Sequence, residues 1–166
     1  MIISLIIAVL VVIIDQVSKY LVVSNMDLHD SISVIPKILN FEYALNDGMA
    51  GGIGGGFSWL FVVITLIVSG VMIYFMTNKE FKHPLYFVSA GLIIGGGIGN
   101  MIDRIVNGGK VVDFLLLSFF PFNCNLADYA ITAGTVILAV FIIFFYGKKN
   151  KEKEPALESI SDNNET

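Results

Sequence analysis

FSWLFVVITLIVSGVMIYFM, residues 57–76, runs for twenty residues without a charge. A helix rises 1.5 Å per residue, so this length covers about 30 Å, the thickness of a bilayer's hydrocarbon core. Inside that core the backbone must satisfy its own hydrogen bonds, which makes the segment a membrane-crossing helix and not an open strand. Three more stretches read the same way: about 2–23, interrupted by Asp15 and Lys19; about 84–104, uncharged as far as Ile102; and about 127–146, with Asp128 near its start. Composition agrees, with a mean hydropathy of +0.79 and 14% charged residues; a soluble domain carries roughly 25%. The expected fold class is an all-α integral membrane protein, with four transmembrane helices in one domain over residues 1–147. The first stretch has no basic lead-in and no A-x-A-like site after it, so a retained span is expected and not a cleaved signal peptide.

The connecting segments set an orientation. Lys79 and Lys82 lie between the second and third spans, and Lys148, Lys149, Lys151 and Lys153 follow the fourth. The other side has Lys37 and Lys110, with Arg104 at the boundary. The positive-inside rule then predicts both termini in the cytoplasm, with 24–56 and 105–126 facing outward. Segment 24–56 is too long for a turn. Its Ile32, Val34, Ile38, Phe41 and Tyr43 alternate weakly with polar residues around Pro36. This predicts a small extracytoplasmic β-like platform between helices 1 and 2. The run GMAGGIGGG (48–56) reads as flexible or tightly turned, and 148–166 as a polar, disordered cytoplasmic tail near anionic headgroups.

Several chemistries lack their groups. Cys124 is the one cysteine, so no intrachain disulfide forms, and it reads as a packing residue. His29 and His83 are remote from it, and no Cys/His cluster has metal-ligand spacing. There is no G-x-S-x-G elbow and no H-E-x-x-H. Basic residues are too few and scattered for nucleic-acid binding.

What remains is polar and gathers at one depth. Asp15 and Lys19 are four apart on a span that runs outward, and Asn100, Asp103 and Arg104 share a face at the outer end of the third. Asn125 and Asp128 open the fourth span, and Asp113 is expected in the outer loop before it. Lys19 or Arg104 alone could snorkel to the headgroups. Together with the acids they suggest pairs, Asp15 with Lys19 and Asp103 with Arg104, in orienting roles. Gly91, Gly95 and Gly99 recur every four residues, a spacing that lets helices approach closely. Gly96 and Gly97 add to that close approach and are expected to bring backbone near substrate; GGGIG is no phosphate loop, since no G-K-[ST] follows.

Asp113 and Asp128 are the costly residues. Ionisable groups at membrane depth are usually functional. Two close carboxylates cannot both ionise easily, so one keeps a proton. The charged one can take a proton from water while the neutral one polarises a carbonyl. Sequence leaves open which carries the proton, and the pair is treated as a unit.

Taken together, the motifs resemble those of the bacterial lipoprotein signal peptidases, or signal peptidase II. DQVSK (15–19), NDGMA (46–50), GGGIGNMIDR (95–104), VVDF (111–114) and NLAD (125–128) are similar to that family's ordered motifs across all four spans. The resemblance implies an aspartic endopeptidase with Asp113 and Asp128 as its catalytic dyad. It implies substrate-binding or supporting roles for Asp15, Lys19, Asn46, Gly48, Asn100, Asp103, Arg104, Asn125 and Ala127. It implies a diacylglyceryl-modified prolipoprotein as substrate, cut just before the lipidated cysteine, by a monomer in the lipid of the bacterial cytoplasmic membrane whose site faces outward. It implies no cofactor and no metal. Where the family has phenylalanine after N-x-G-x-A, this chain has Gly51, which predicts a more mobile outer loop. The competing readings are a small four-helix transporter or channel subunit with an Asp-lined path, which would spread polar residues over both membrane halves, and a scaffold with structural ion pairs.

Overall fold

The computed structural model describes residues 1–48 and 56–146. Four long helices dominate: α1 (Ile2–Asn25), α2 (Ser58–Thr77), α3 (Pro84–Val106) and α4 (Leu126–Phe141), which continues as a wider π-helical turn over Ile142–Tyr146. All four are long and apolar enough to cross a membrane. Their exposed surfaces are largely Leu, Ile, Val and Phe, as expected of faces turned to lipid. The predicted spans agree with these helices to within a few residues. The predicted glycine-run loop and polar tail lie outside the described residues, apart from Gly48 and Gly56.

Helix α3 is the central helix and packs against each of the other three. Its glycines make that possible. A Cβ on Gly95 would lie 2.8 Å from the Ala8 carbonyl oxygen of α1, and one on Gly91 2.8 Å from that of Ser4. On the other side a Cβ on Gly96 would meet the Ala127 carbonyl oxygen of α4 at 2.5 Å. Gly96 therefore serves the close helix approach expected of it. At the end of the bundle away from the sheet, Met72, Met76, Tyr86, Ala90, Ile94 and Phe141 form one core, and the Tyr86 hydroxyl donates to the Met72 carbonyl at 2.9 Å.

The expected platform is a sheet, and it is larger than the segment between α1 and α2. Strands β1 (Ser31–Ile35) and β2 (Leu39–Asn46) form a hairpin. Strands β3 (Val111–Leu117) and β4 (Asn123–Cys124), from the segment before α4, extend it to four antiparallel strands in the order β1-β2-β3-β4. Asp113 is thus a strand residue paired with Ala44, not a loop residue. The run VVDFLLL shows no alternation because Val111 to Phe114 are all buried, covered on both faces. Val22, Met26 and Phe114 clamp the sheet to the end of α1. Gly108 and Gly109, at φ +62° and +99°, turn the chain from α3 into β3 through the left-handed region that glycine tolerates.

Gly95→Val should force α1 from α3 and lower thermal stability in detergent by about 1–3 kcal/mol. Gly70→Ala, at a site with nothing within 4 Å, should leave it unchanged or raise it by up to about 1 kcal/mol. Equal melting temperatures for the two variants would contradict the close packing.

Candidate active site

The polar residues singled out in the sequence converge at the sheet end of the bundle. Their arrangement starts from Lys19, which is 3% exposed. Its ammonium pairs with Asp15 at 2.8 Å and with Asp103 at 3.0 Å, and donates to Asn100 Oδ1 at 3.0 Å. Asp103 therefore pairs with Lys19, where the sequence suggested Arg104. Neighbours i and i+1 point about 100° apart on a helix, so Asp103 reaches α1 while Arg104 turns away from it.

Each of the two acids also holds backbone beside one member of the candidate dyad. Asp15 Oδ1 accepts the Ala127 N–H at 3.0 Å, filling one of the donors that the first turn of α4 leaves unpaired. Asp103 Oδ2 accepts the Val112 N–H at 2.9 Å, next to Asp113. Gln16 bridges them, donating to Asp15, to Asp103 and to the Gly99 carbonyl at 2.9–3.2 Å. Sequence reasoning passed over Gln16, although it lies inside the DQVSK motif three residues before Lys19. Gly99 leaves room for Asp15, since a Cβ there would lie 2.6 Å from Asp15 Oδ2.

The asparagines have their amide orientations imposed. Lys19 can only donate, so Asn100 turns Oδ1 toward it and Nδ2 toward Asp128 Oδ1, at 2.8 Å. Asn125 is the N-cap of α4: its Oδ1 accepts the Asp128 N–H at 3.0 Å, while Asp128 Oδ2 accepts the Asn125 N–H at 3.1 Å. This capping box fixes the Asp128 side chain at the helix start. The Asn125 Nδ2 is then free to donate to Asp113 Oδ1 at 2.6 Å and to Asn100 Oδ1 at 3.0 Å. Asn46, at the end of β2, donates to Asp113 Oδ2 at 2.8 Å and accepts the Gly48 N–H at 2.9 Å. Both carboxylates thus receive two hydrogen bonds, and one asparagine touches both.

Their surroundings differ. Asp113 is 2% exposed and Asp128 is half-buried. Burial, then the neighbouring Asp128 charge, pushes the Asp113 carboxyl up to about 7, against the opposing bonds from Asn46 and Asn125. Near neutral pH such a group is shared between acid and base forms. The Cys124 thiol is driven the other way from reactivity: burial and the two aspartates push it up to about 11, leaving it protonated.

Both aspartates open onto a cleft of about 380 Å³ between α2, α3 and α4. Phe61, Ile64, Thr65, Gly97, Ile131 and Thr132 supply its helix walls; Asn46, Gly48, Asn100, Arg104 and Val111 surround the carboxylates. Arg104 donates to the Asn100 and Gly48 carbonyls at 3.2 and 3.1 Å and lies 5.1 Å from the centre of the Phe61 ring. Its Nε is buried without a hydrogen-bond partner among the described residues. All eleven site residues expected from the sequence are therefore in or against one network. Among the described residues no group of three or more His, Cys, Asp or Glu could hold a metal ion.

Comparison with known proteins gives this geometry a context. Residues 7–144 match the family model described as Signal peptidase (SPase) II. A lipoprotein signal peptidase of Symbiobacterium thermophilum is 39% identical over 144 residues, covering 84% of this chain and 93% of the relative. One from Lactobacillus gasseri is 41% identical over 145 residues, covering 87% and 94%. A solved bacterial membrane enzyme, obtained by the in meso method at 2.3 Å resolution, superposes with a TM-score of 0.78 at 36% identity, over 89% of this chain and 90% of that one.

Lys19→Met should leave Asp15 and Asp103 buried without their cation. The expected loss is about 3–5 kcal/mol of stability at neutral pH, read by thermal unfolding in detergent. A variant as stable as the wild type would remove Lys19 from the centre of the network.

Proposed function

The chain belongs to the signal peptidase II family of aspartic peptidases, and on that premise we propose that Asp113 and Asp128 are its catalytic pair. They would activate water to cut a diacylglyceryl-modified prolipoprotein just before the lipidated cysteine. The observation that carries this is the shared Asn125, which touches Asp113 and caps the helix that bears Asp128, so that both carboxylates face one cleft.

The environments divide the work. Asp113, the more buried, carries the proton and donates it to the scissile carbonyl oxygen. Asp128, at the positive end of α4, is the carboxylate that takes a proton from the attacking water. The tetrahedral intermediate collapses as Asp113 takes back a hydroxyl proton and Asp128 passes its proton to the leaving nitrogen. The products are a signal-peptide carboxyl group and the free amine of the lipidated cysteine. Asn46, Asn100 and Asn125 hold the pair through every charge state, because each amide can donate to either form of a carboxyl group. Arg104 lines the cleft and holds the Gly48 carbonyl at its edge.

Location supports the same reading. The polar network lies at the sheet end of the helices, opposite the short α2–α3 link that carries Lys79 and Lys82. The positive-inside rule makes that link cytoplasmic, with both termini, so the cleft faces outward in the bacterial cytoplasmic membrane. Its helix walls are largely apolar, with Phe61, Ile64 and Ile131 beside Thr65 and Thr132, and accept a membrane-embedded signal sequence from the side. The proposed steps draw on the two carboxylates and water, and one copy of the chain supplies every group named. A transporter path would call for ionisable residues in the other half of the bundle; there the described buried residues include Met72, Met76, Tyr86, Ile94 and Phe141 with the uncharged Ser4 and Ser89.

Purified protein in detergent should cleave a lipidated prolipoprotein, and Asp113→Asn or Asp128→Asn should each lower kcat by about 10²–10⁴. Folding is checked by unchanged melting curves. Full cleavage by either variant would end the dyad assignment.

A further inference from the structure

A second groove opens on the other side of Asp113. It has a volume of about 340 Å³ and is lined by sheet and turn residues alone, among them Glu42, Asp47, Phe122 and Asn123. It shares Asn46 and Asp113 with the cleft between the helices. A peptide bond held at the aspartates therefore has an apolar, helix-lined channel on one side and a sheet-lined groove beyond the helix ends on the other. The signal sequence is apolar and occupies the first. The chain that follows the lipidated cysteine leaves the membrane and has the second in front of it.

The groove has one sign of charge. Among the described residues its ionisable groups are Glu42, Asp47 and Asp113, and no described lysine or arginine lines it. Glu42 is half-buried on β2; Asn123 of β4 donates to its carbonyl at 3.1 Å and to its Oε1 at 3.4 Å, which turns the carboxylate toward β4. Asp47 is exposed at the rim beside Asn46. Low-dielectric walls concentrate the field of such groups.

We propose that this groove seats the first residues of the mature lipoprotein, and that Glu42 and Asp47 make it favour basic side chains and reject acidic ones there. The proposal rests on the peptidase reading above. Both residues act by charge at a distance from the reacting bond, so they are specificity determinants and not catalytic groups.

The test uses the full-length enzyme in detergent and three lipidated prolipoproteins that differ only in the second and third residues after the modified cysteine: Ser-Ser, Lys-Lys or Asp-Asp. At low salt the wild type should cut the Lys-Lys substrate with a kcat/KM about tenfold or more above Asp-Asp. That ratio should shrink at high salt. It should move toward one in Glu42→Gln and Asp47→Asn, and below one in the Glu42→Lys/Asp47→Lys double variant. A ratio that is the same in wild type and in the charge-neutralised or reversed variants would overturn the groove assignment. Failure of the wild type to cut even the Ser-Ser substrate would instead overturn the peptidase reading, and the groove proposal with it.

Discussion

The site depends on one buried ammonium. Lys19 lies between Asp15 and Asp103, and three charges in a membrane protein cost several kcal/mol each to desolvate. The cluster is tolerable because its remaining hydrogen-bonding capacity is used. Asp15 also takes Gln16 and the Ala127 N–H, Asp103 takes Gln16 and the Val112 N–H, and Lys19 gives a further bond to Asn100. Three of those bonds, to the Ala127 N–H, the Val112 N–H and Asn100, end beside Asp113 or Asp128. The ion cluster thus joins α1, α3, β3 and the start of α4 at one point, and the two carboxylates proposed to react hang from that joint.

The glycines of α3 serve the same end. Lys19 meets Asp103 only if α1 lies close to α3, and Asn100 meets Asp128 only if α4 does. Gly91, Gly95 and Gly99 grant the first approach and Gly96 the second. Close packing in the bilayer and geometry at the aspartates are therefore one problem. A side chain added far down the helix would be felt at the dyad through the tilt of α1. The sheet adds what helices cannot: a strand that carries Asp113 in from outside, pinned by Asn46 on its neighbour.

Much of this was legible in the sequence, for physical reasons that differ by element. The spans are readable because lipid demands about twenty apolar residues whatever they pack against. The charged members of the network, Asp15, Lys19, Asp103, Arg104, Asp113 and Asp128, stand out in the sequence because charges at that depth need a cause, whereas Asn46, Gly48 and Ala127 came only from the resemblance. Strand β3 was not readable, since a strand buried on both faces loses its alternation and its one charge made it look like a loop. The partner of Asp103 was misassigned because adjacency in sequence was weighed above direction around the helix. Gln16 was passed over because an amide carries no charge to draw attention, though in a buried network it bridges two acids. The division between Asp113 and Asp128 follows from burial, which only the folded chain shows.

The central claim is that this frame holds two carboxylates sharing one proton, carried by Asp113. Burial favours the neutral form, so the folded chain keeps this proton from the ordinary aspartate range near pH 3.8 up to about 7 and releases it above. The stability contributed by protonated Asp113 is correspondingly present at low pH and lost as pH rises through about 7. Infrared difference spectra between the wild type and Asp113→Asn, taken across that range, read the carboxylic-acid carbonyl stretch directly. The account predicts a wild-type band that is present on the acid side of neutrality, fades with a midpoint near pH 7 and is missing from the variant. A dyad already fully ionised well below pH 7, or a band that persists unchanged in Asp113→Asn, would contradict it.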